Sequence, residues 1–201
     1  MNNEWAPIPG ETPLDDLSGL RDKSISTRVQ LAIAEEQNIL QAHQKYLSGR
    51  PNRRTAPFTY AWMLRVHREM FGKVWKWAGQ VRTTEKNIGI PAANIGQELG
   101  GLCLDIEAWQ VREDLLLEQS VLIHHRGVRI HPFENGNGRW SRLLANIWLK
   151  RHGKPIIAWP EAEVGQSENT VRKEYITAIK AADEHDLGPL TNLHGRFLSE
   201  E

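Results

Sequence analysis

Apolar residues recur at helical spacing along most of the chain, and breaks bearing glycine or proline separate the runs. The first run starts from an N-cap at Ser26 or Thr27 and reaches about Leu47, where Ser48-Gly49-Arg50-Pro51 ends it. Leu31, Ala34, Glu35, Asn38 and Ala42 share one face of that helix. Phe58 or Thr59 opens a second, with Met63, Leu64, Val66, His67, Met70 and Phe71 on its inner side and Gly72 as its stop. Asn94 with Gln97 reads as a capping pair for a third helix, through Leu99, Leu102, Cys103, Ile106 and Trp109. A fourth spans Leu115 to Ile130. A fifth begins near Gly138, because Leu143, Leu144, Ile147 and Trp148 repeat at helical intervals. Gly153-Lys154-Pro155 then breaks the chain. Val171, Tyr175, Ala178, Ile179 and Ala182 mark a further helix, and Asp186 caps a last one bearing Leu190, Leu193, Phe197 and Leu198.

Two stretches depart from this rhythm. Residues 1–24 are rich in Pro, Gly and Asp without a period, and read as an irregular arm laid over the domain. Residues of about 80–91 place Val81 to Thr84 and Ile88 to Ile90 on either side of Glu85-Lys86-Asn87, which suits a short β-hairpin. Trp75 and Trp77 just before it are most simply core aromatics. The expected fold is mainly α: one helical domain over residues 25–201, of about seven or eight helices, with one small hairpin.

Composition narrows the function classes. The 201 residues include 25 basic and 25 acidic side chains, which argues against a nucleic-acid binder that relies on a broad basic field. No apolar run has the length of a membrane span, and Met1-Asn2-Asn3-Glu4-Trp5 has no signal pattern, so a cytoplasmic, bacterial-type protein with no membrane partner is expected. Cys103 is the sole cysteine, which excludes an internal disulfide. There is no internal repeat.

The chemistry concentrates in residues 131–142, His-Pro-Phe-Glu-Asn-Gly-Asn-Gly-Arg-Trp-Ser-Arg. A helix start carries unpaired N–H groups and partial positive charge, which favour an anion. Gly136 and Gly138 let the backbone approach a ligand closely. Arg139 and Arg142, three apart, share a helix face and suit forked binding to phosphate oxygens. His131 titrates near neutrality and is the natural general base. Singly, each residue is commonplace in a loop or on a solvated helix. At these spacings the catalytic reading outweighs the structural one. A zinc site at His124, His125 and His131 is disfavoured, since no Cys or His-Glu-x-x-His accompanies them.

This stretch resembles the signature of the Fic (Fic/Doc) family, His-Pro-Phe-x-(Asp/Glu)-Gly-Asn-Gly-Arg-x-x-Arg. The stretch from Trp77 to Gly89 and the Pro13-Leu14-Asp15 start resemble its subgroup called mobile mystery protein B. The resemblance implies transfer of AMP from ATP to a Tyr, Ser or Thr hydroxyl of a target protein, with Mg²⁺ and release of pyrophosphate. By the same resemblance His131 is the base and Gly136, Asn137 and Gly138 cradle the α- and β-phosphates. Arg139 and Arg142 would hold the outer phosphates, and Phe133 would anchor the loop. The acidic Mg²⁺ ligand is replaced by Asn135, a neutral amide that implies weaker metal binding; the subgroup resembled often carries Asn there. The 80–91 hairpin would be the flap that pairs with an extended target segment, through Thr84, Lys86, Asn87, Ile88 and Gly89.

The resemblance also raises regulation. Many Fic proteins carry (Ser/Thr)-x-x-x-Glu-(Gly/Asn) on a helix whose Glu pairs with the second motif arginine. Leu31-x-x-x-Glu35-Glu36 matches only in part, so Glu35 is a candidate inhibitory residue for which the plainer reading, a helix-surface Glu, is preferred. An antitoxin-like regulator and a homo-oligomer stay open. So do two other functions: a different transfer on the same fold (another nucleotide, a phosphate, or AMP removal), and a non-catalytic nucleotide- or partner-binding module weakened by Asn135. The Doc-type motif has Lys in place of Gly138, which favours AMP transfer.

Overall fold

The computed structural model describes residues 17–164 and 169–200; residues 1–16 of the expected arm, with Pro13-Leu14-Asp15, lie outside them. The described residues form α1 (Arg28–Leu47), α2 (Tyr60–Phe71), α3 (Ile95–Ala108), α4 (Leu116–Ile130), α5 (Asn137–Arg151), the short α6 (Glu161–Val164), α7 (Thr170–Asp183) and α8 (Gly188–Arg196). Thr27 is the N-cap of α1. Its hydroxyl accepts the Gln30 N–H, and the Gln30 side chain accepts the Thr27 N–H in return, a reciprocal box that satisfies two helix-end donors. Asn94 does not cap α3 through its side chain; a single 3₁₀ turn over Ala92–Asn94 leads in instead.

Helix α5 is the centre. Asn137 and every residue from Trp140 to Leu149 are buried, so this helix is enclosed on all sides by its neighbours. Helix α4 packs against it more extensively than any other pair, and Gly127 allows the close approach: a Cβ there would lie 2.5 Å from the Ser141 Oγ. The Trp140 indole N–H donates to the Met63 carbonyl at 3.1 Å and ties α5 to α2. Beyond α5, the Asn146 amide brackets Ile157, accepting its N–H and donating to its carbonyl, which turns the chain back over the helix. Trp75 is fully buried and stacks on Trp77, and the strap over residues 19–21 runs antiparallel beside Val74–Lys76.

The expected hairpin needs correction in its detail. Among the described residues the β-bridges are isolated ones, Leu20 with Trp75 and Ile157 with Leu198; residues 80–91 carry no strand ladder. The reason is Arg82. Its buried guanidinium fills the inside of the loop and donates to the carbonyls of Thr84 and Ile90, while its Nε donates to the carbonyl of His131. Side-chain bonds to backbone thus replace the cross-strand bonds of a ladder.

Several histidines are buried in the neutral form. Burial pushes His67 and His194 down to about 3, and His124 well below its ordinary 6.5. The unfolded chain therefore binds protons that the folded chain refuses. Stability from these groups is full above pH 6.5 and is lost as pH falls toward the folded values, at about 1.4 kcal/mol per group per pH unit. Denaturant titrations should give a constant stability above neutrality and a steep decline by about pH 5. A flat profile across that window would mean that these imidazoles accept a proton without leaving the fold.

Candidate active site

The turn between α4 and α5 is held from inside and outside. His131 closes α4 in the left-handed conformation, φ 52° and ψ 59°, which a single His tolerates at a helix end. Gly136 opens α5 at φ 79°, where a Cβ would strike the Phe71 ring at 2.5 Å. Between them, the Asn137 side chain bonds both backbone groups of Phe133: Oδ1 accepts its N–H and Nδ2 donates to its carbonyl, each at 2.9 Å. Phe133 is fully buried, stacked on His67 at 3.6 Å and edge-on to Trp140. From outside, His67 Nδ1 accepts the Gly79 N–H, so Nε2 carries the hydrogen and donates to the Asn135 carbonyl at 3.0 Å.

His131 is the reactive group at the rim. Its Nδ1 lies 3.3 Å from the Val128 carbonyl; a carbonyl only accepts, so Nδ1 is protonated and Nε2 is the basic nitrogen. Burial lowers its pKa to about 4, with the cations of Arg82 and Lys86 acting in the same direction, so the ring is neutral at pH 7. The first N–H groups of α5 have no acceptor within the helix and converge just past the turn.

The two arginines meet different carboxylates. Arg139 stands over the Phe71 ring and donates through Nη1 to Glu35 Oε2 at 2.6 Å. Glu35 is 7 % exposed, and its other oxygen accepts the Trp75 indole N–H at 2.6 Å. This corrects the plainer reading of Glu35 as a surface residue. The α1 face that carries it, together with Leu31 and Asn38, turns into the core beside α5. Its partner is the first motif arginine, not the second. Arg142, 5 % exposed, is gripped in a two-pronged pair by Glu161 at the start of α6, with Nε at 2.8 Å from Oε1 and Nη2 on Oε2.

The other sequence-predicted residues sit around this centre. Lys86 pairs with Glu134 at 2.7 Å, and the Thr84 hydroxyl bonds the same carboxylate at 3.3 Å, so the 80–91 loop is tied to the turn. Gly89, at φ 98°, lies directly on His131: a Cβ there would be 2.4 Å from the His131 Cβ. Asn87 is exposed and Ile88 half-buried, while the Asn137 amide is committed to Phe133 and has only its backbone to offer an anion. Asn135 Oδ1 accepts the Gly136 N–H at 2.5 Å. Among the described residues no group of three His, Cys, Asp or Glu side chains could hold a metal, so the donor set fits Mg²⁺ only as an ion that phosphate oxygens also ligate. Sequence reasoning missed Arg82, Glu161 and the specific role of His67. A buried cation in a polar stretch, and a carboxylate on a four-residue helix, leave no periodic signal.

Replacing His67 with Phe keeps the stack on Phe133 and deletes both hydrogen bonds. The buried Gly79 N–H and the Asn135 carbonyl would lose their partner, at roughly 1–3 kcal/mol for each group. Urea denaturation should register a loss of about 2–4 kcal/mol, with faster amide exchange at the turn. A loss within experimental error would show that the turn holds without His67.

Residues 57–149 match the family model for Fic/DOC. Protein adenylyltransferase Fic of Culex quinquefasciatus is 30 % identical over 166 residues, 80 % of this chain and 31 % of its own length. Protein adenylyltransferase fic-1 of Caenorhabditis elegans is 30 % identical over 132 residues, 63 % of this chain and 24 % of its own. The chain thus spans a quarter to a third of the curated relatives it matches. Among solved structures, BepC of Bartonella tribocorum superimposes with a TM-score of 0.69 at 17 % identity, over 92 % of this chain and 94 % of that one. A Fic-1 fragment from C. elegans does so with a TM-score of 0.63 at 23 % identity, over 82 % and 49 %. Residues 57–149, which hold the His131–Arg142 turn, match the Fic/DOC family, and the helical unit around them shares the fold of the Fic structures.

Proposed function

We propose that this domain transfers AMP from ATP to the hydroxyl of a Tyr, Ser or Thr side chain on a target protein. The observation that carries the reading is the neutral His131 imidazole, with its basic Nε2, at the turn that opens α5, the helix bearing Arg139 and Arg142. In the reaction the target hydroxyl gives its proton to His131 Nε2 and its oxygen bonds to the α-phosphorus. The bond from that phosphorus to the pyrophosphate oxygen breaks, and pyrophosphate leaves. The N–H groups opening α5 and the two guanidiniums would neutralise the phosphates. Support comes from relatives named protein adenylyltransferases and from the BepC structure with bound AMPPNP. Mg²⁺ would enter with the triphosphate, with the Asn135 amide as its neutral protein ligand and charge neutralisation as its contribution.

The target would lie as an extended segment along residues 84–89, with its hydroxyl pointing at His131. The likeness of Trp77–Gly89 to the mobile mystery protein B subgroup belongs to the same reading. Glu35 is the brake we assign: it occupies the Arg139 fork, so an incoming phosphate has to displace a carboxylate already seated there.

Incubation with Mg²⁺ and ATP labelled at the α-phosphate, beside a cell lysate, should label protein. His131→Ala should abolish that labelling without unfolding the chain. Label arriving from the γ-phosphate alone would replace AMP transfer by phosphate transfer. Glu35→Gly should raise the rate roughly fivefold to tenfold, as expected for removing one partly buried competitor worth about 1 kcal/mol; an unchanged rate would remove the brake. Because the base works when neutral and its pKa is about 4, kcat/KM should hold level from pH 8 to about 5.5 and fall only below that. A midpoint at the ordinary 6.5 would contradict the assignment of His131 as the base.

A further inference from the structure

Arg142 has a second set of neighbours that the reaction does not use. Besides Glu161 its guanidinium meets the Tyr175 hydroxyl, and it lies over the rings of Tyr175 at 5.5 Å and Trp159 at 5.9 Å. From Tyr175 a chain of buried polar groups runs into the protein. The Tyr175 hydroxyl is 3.0 Å from His124 Nε2, and His124 Nδ1 is 2.9 Å from His194 Nε2. His194 Nδ1 is 3.3 Å from the Ser120 Oγ, which is 2.7 Å from the Leu117 carbonyl. Ser120, His124 and His194 are fully buried, and the members come from α4, α5, α7 and α8.

Both ends of this chain dictate its direction. The Leu117 carbonyl only accepts, so Ser120 gives it its hydrogen and the Ser120 oxygen is left to accept. His194 Nδ1 then donates, which makes His194 Nε2 an acceptor. His124 Nδ1 must donate to it, and His124 Nε2 becomes the acceptor of the Tyr175 O–H. The Tyr175 oxygen therefore presents lone pairs to a guanidinium, which has only donors. One arrangement of hydrogens satisfies every member with both imidazoles neutral, the state that burial enforces.

We infer that Tyr175, oriented by the His124–His194–Ser120 relay, is the positioning residue that keeps the Arg142 guanidinium aimed at the outer phosphates of ATP. Glu161 stands on the open side, its side chain 43 % exposed, and is the partner that an anion can exchange. Tyr175 is the partner that stays. An arginine side chain has several rotatable bonds, and a fork anchored beforehand loses less freedom when it meets a ligand. The inference rests on the proposed AMP-transfer reading, in which Arg142 holds phosphate.

The full chain supplies the test. Nitrogen-15 NMR of the imidazoles should find His124 and His194 both as the Nδ1–H tautomer; an Nε2–H tautomer on either one overturns the relay. Binding of ATP and of AMP is then titrated for wild type, Tyr175→Phe, Arg142→Ala and the double variant. Tyr175→Phe keeps the ring under the guanidinium and should weaken ATP roughly threefold to tenfold, leave AMP unchanged, and add nothing once Arg142 is Ala. Wild-type ATP affinity in Tyr175→Phe, an equal loss for AMP, or full additivity with Arg142→Ala would overturn the positioning role while Arg142 keeps its own. Undiminished ATP binding in Arg142→Ala would instead remove the phosphate role of Arg142, and this inference with it. Should Tyr175→Phe lack a folded state, Ser120→Ala loosens the far end of the relay and should give the same ATP-over-AMP signature at smaller size; equal affinities would count against the inference.

Discussion

The grip of the Asn137 side chain on both backbone groups of Phe133 is the constraint on which the rest depends. It sets the path of the turn between α4 and α5, and therefore where the His131 ring and the opening N–H groups of α5 stand relative to each other. The bonds are buried, so opening either one would strand polar groups away from water. His67 closes the turn from the other side through Asn135, and Phe133 is clamped between His67 and Trp140. A turn fixed on three sides can carry a left-handed histidine at its mouth, a conformation that a looser loop would relax.

Charge is arranged around that turn with the same economy. The chain as a whole is neutral, yet Arg139 and Arg142 each have a carboxylate partner, Glu35 from α1 and Glu161 from α6. Such pairs add little to stability, because the cost of removing both charges from water offsets most of their attraction. What they do supply is a place already shaped for an anion. On the proposed reading, phosphate replaces carboxylate at a fork whose geometry and counter-charge exist beforehand, and the 80–91 loop lies over His131 to receive the second reactant. The contrast between the two forks follows from their surroundings. Arg139 is bracketed by a Glu35 that Trp75 also holds, whereas Arg142 leans on a hydrogen-bonded interior and faces an exposed carboxylate.

Much of this was legible in the chain itself. The helix from Thr27 to Leu47, the stop at Gly72, and the helix pair joined by the 131–142 turn follow from spacing and capping residues, and they stand within a residue or so of where those signals put them. The alternation of the 80–91 stretch is what a hairpin shows. The alternation was genuine and the pairing was not, since a buried guanidinium took the carbonyls that a partner strand would have used. A carboxylate on a half-apolar helix face, as Glu35 is, usually lies at the surface, and nothing near it in sequence announces Arg139.

By itself, then, the sequence determined the helices, the turn and the residue types at the turn, because periodicity, caps and glycines act between neighbours. Only the tertiary structure decided which carboxylate each arginine meets, across 104 and 19 positions, and which nitrogen of each buried imidazole holds its hydrogen. Those choices depend on partners that local propensity does not encode. They are made by burial, which leaves each of these groups one set of neighbours within hydrogen-bond reach.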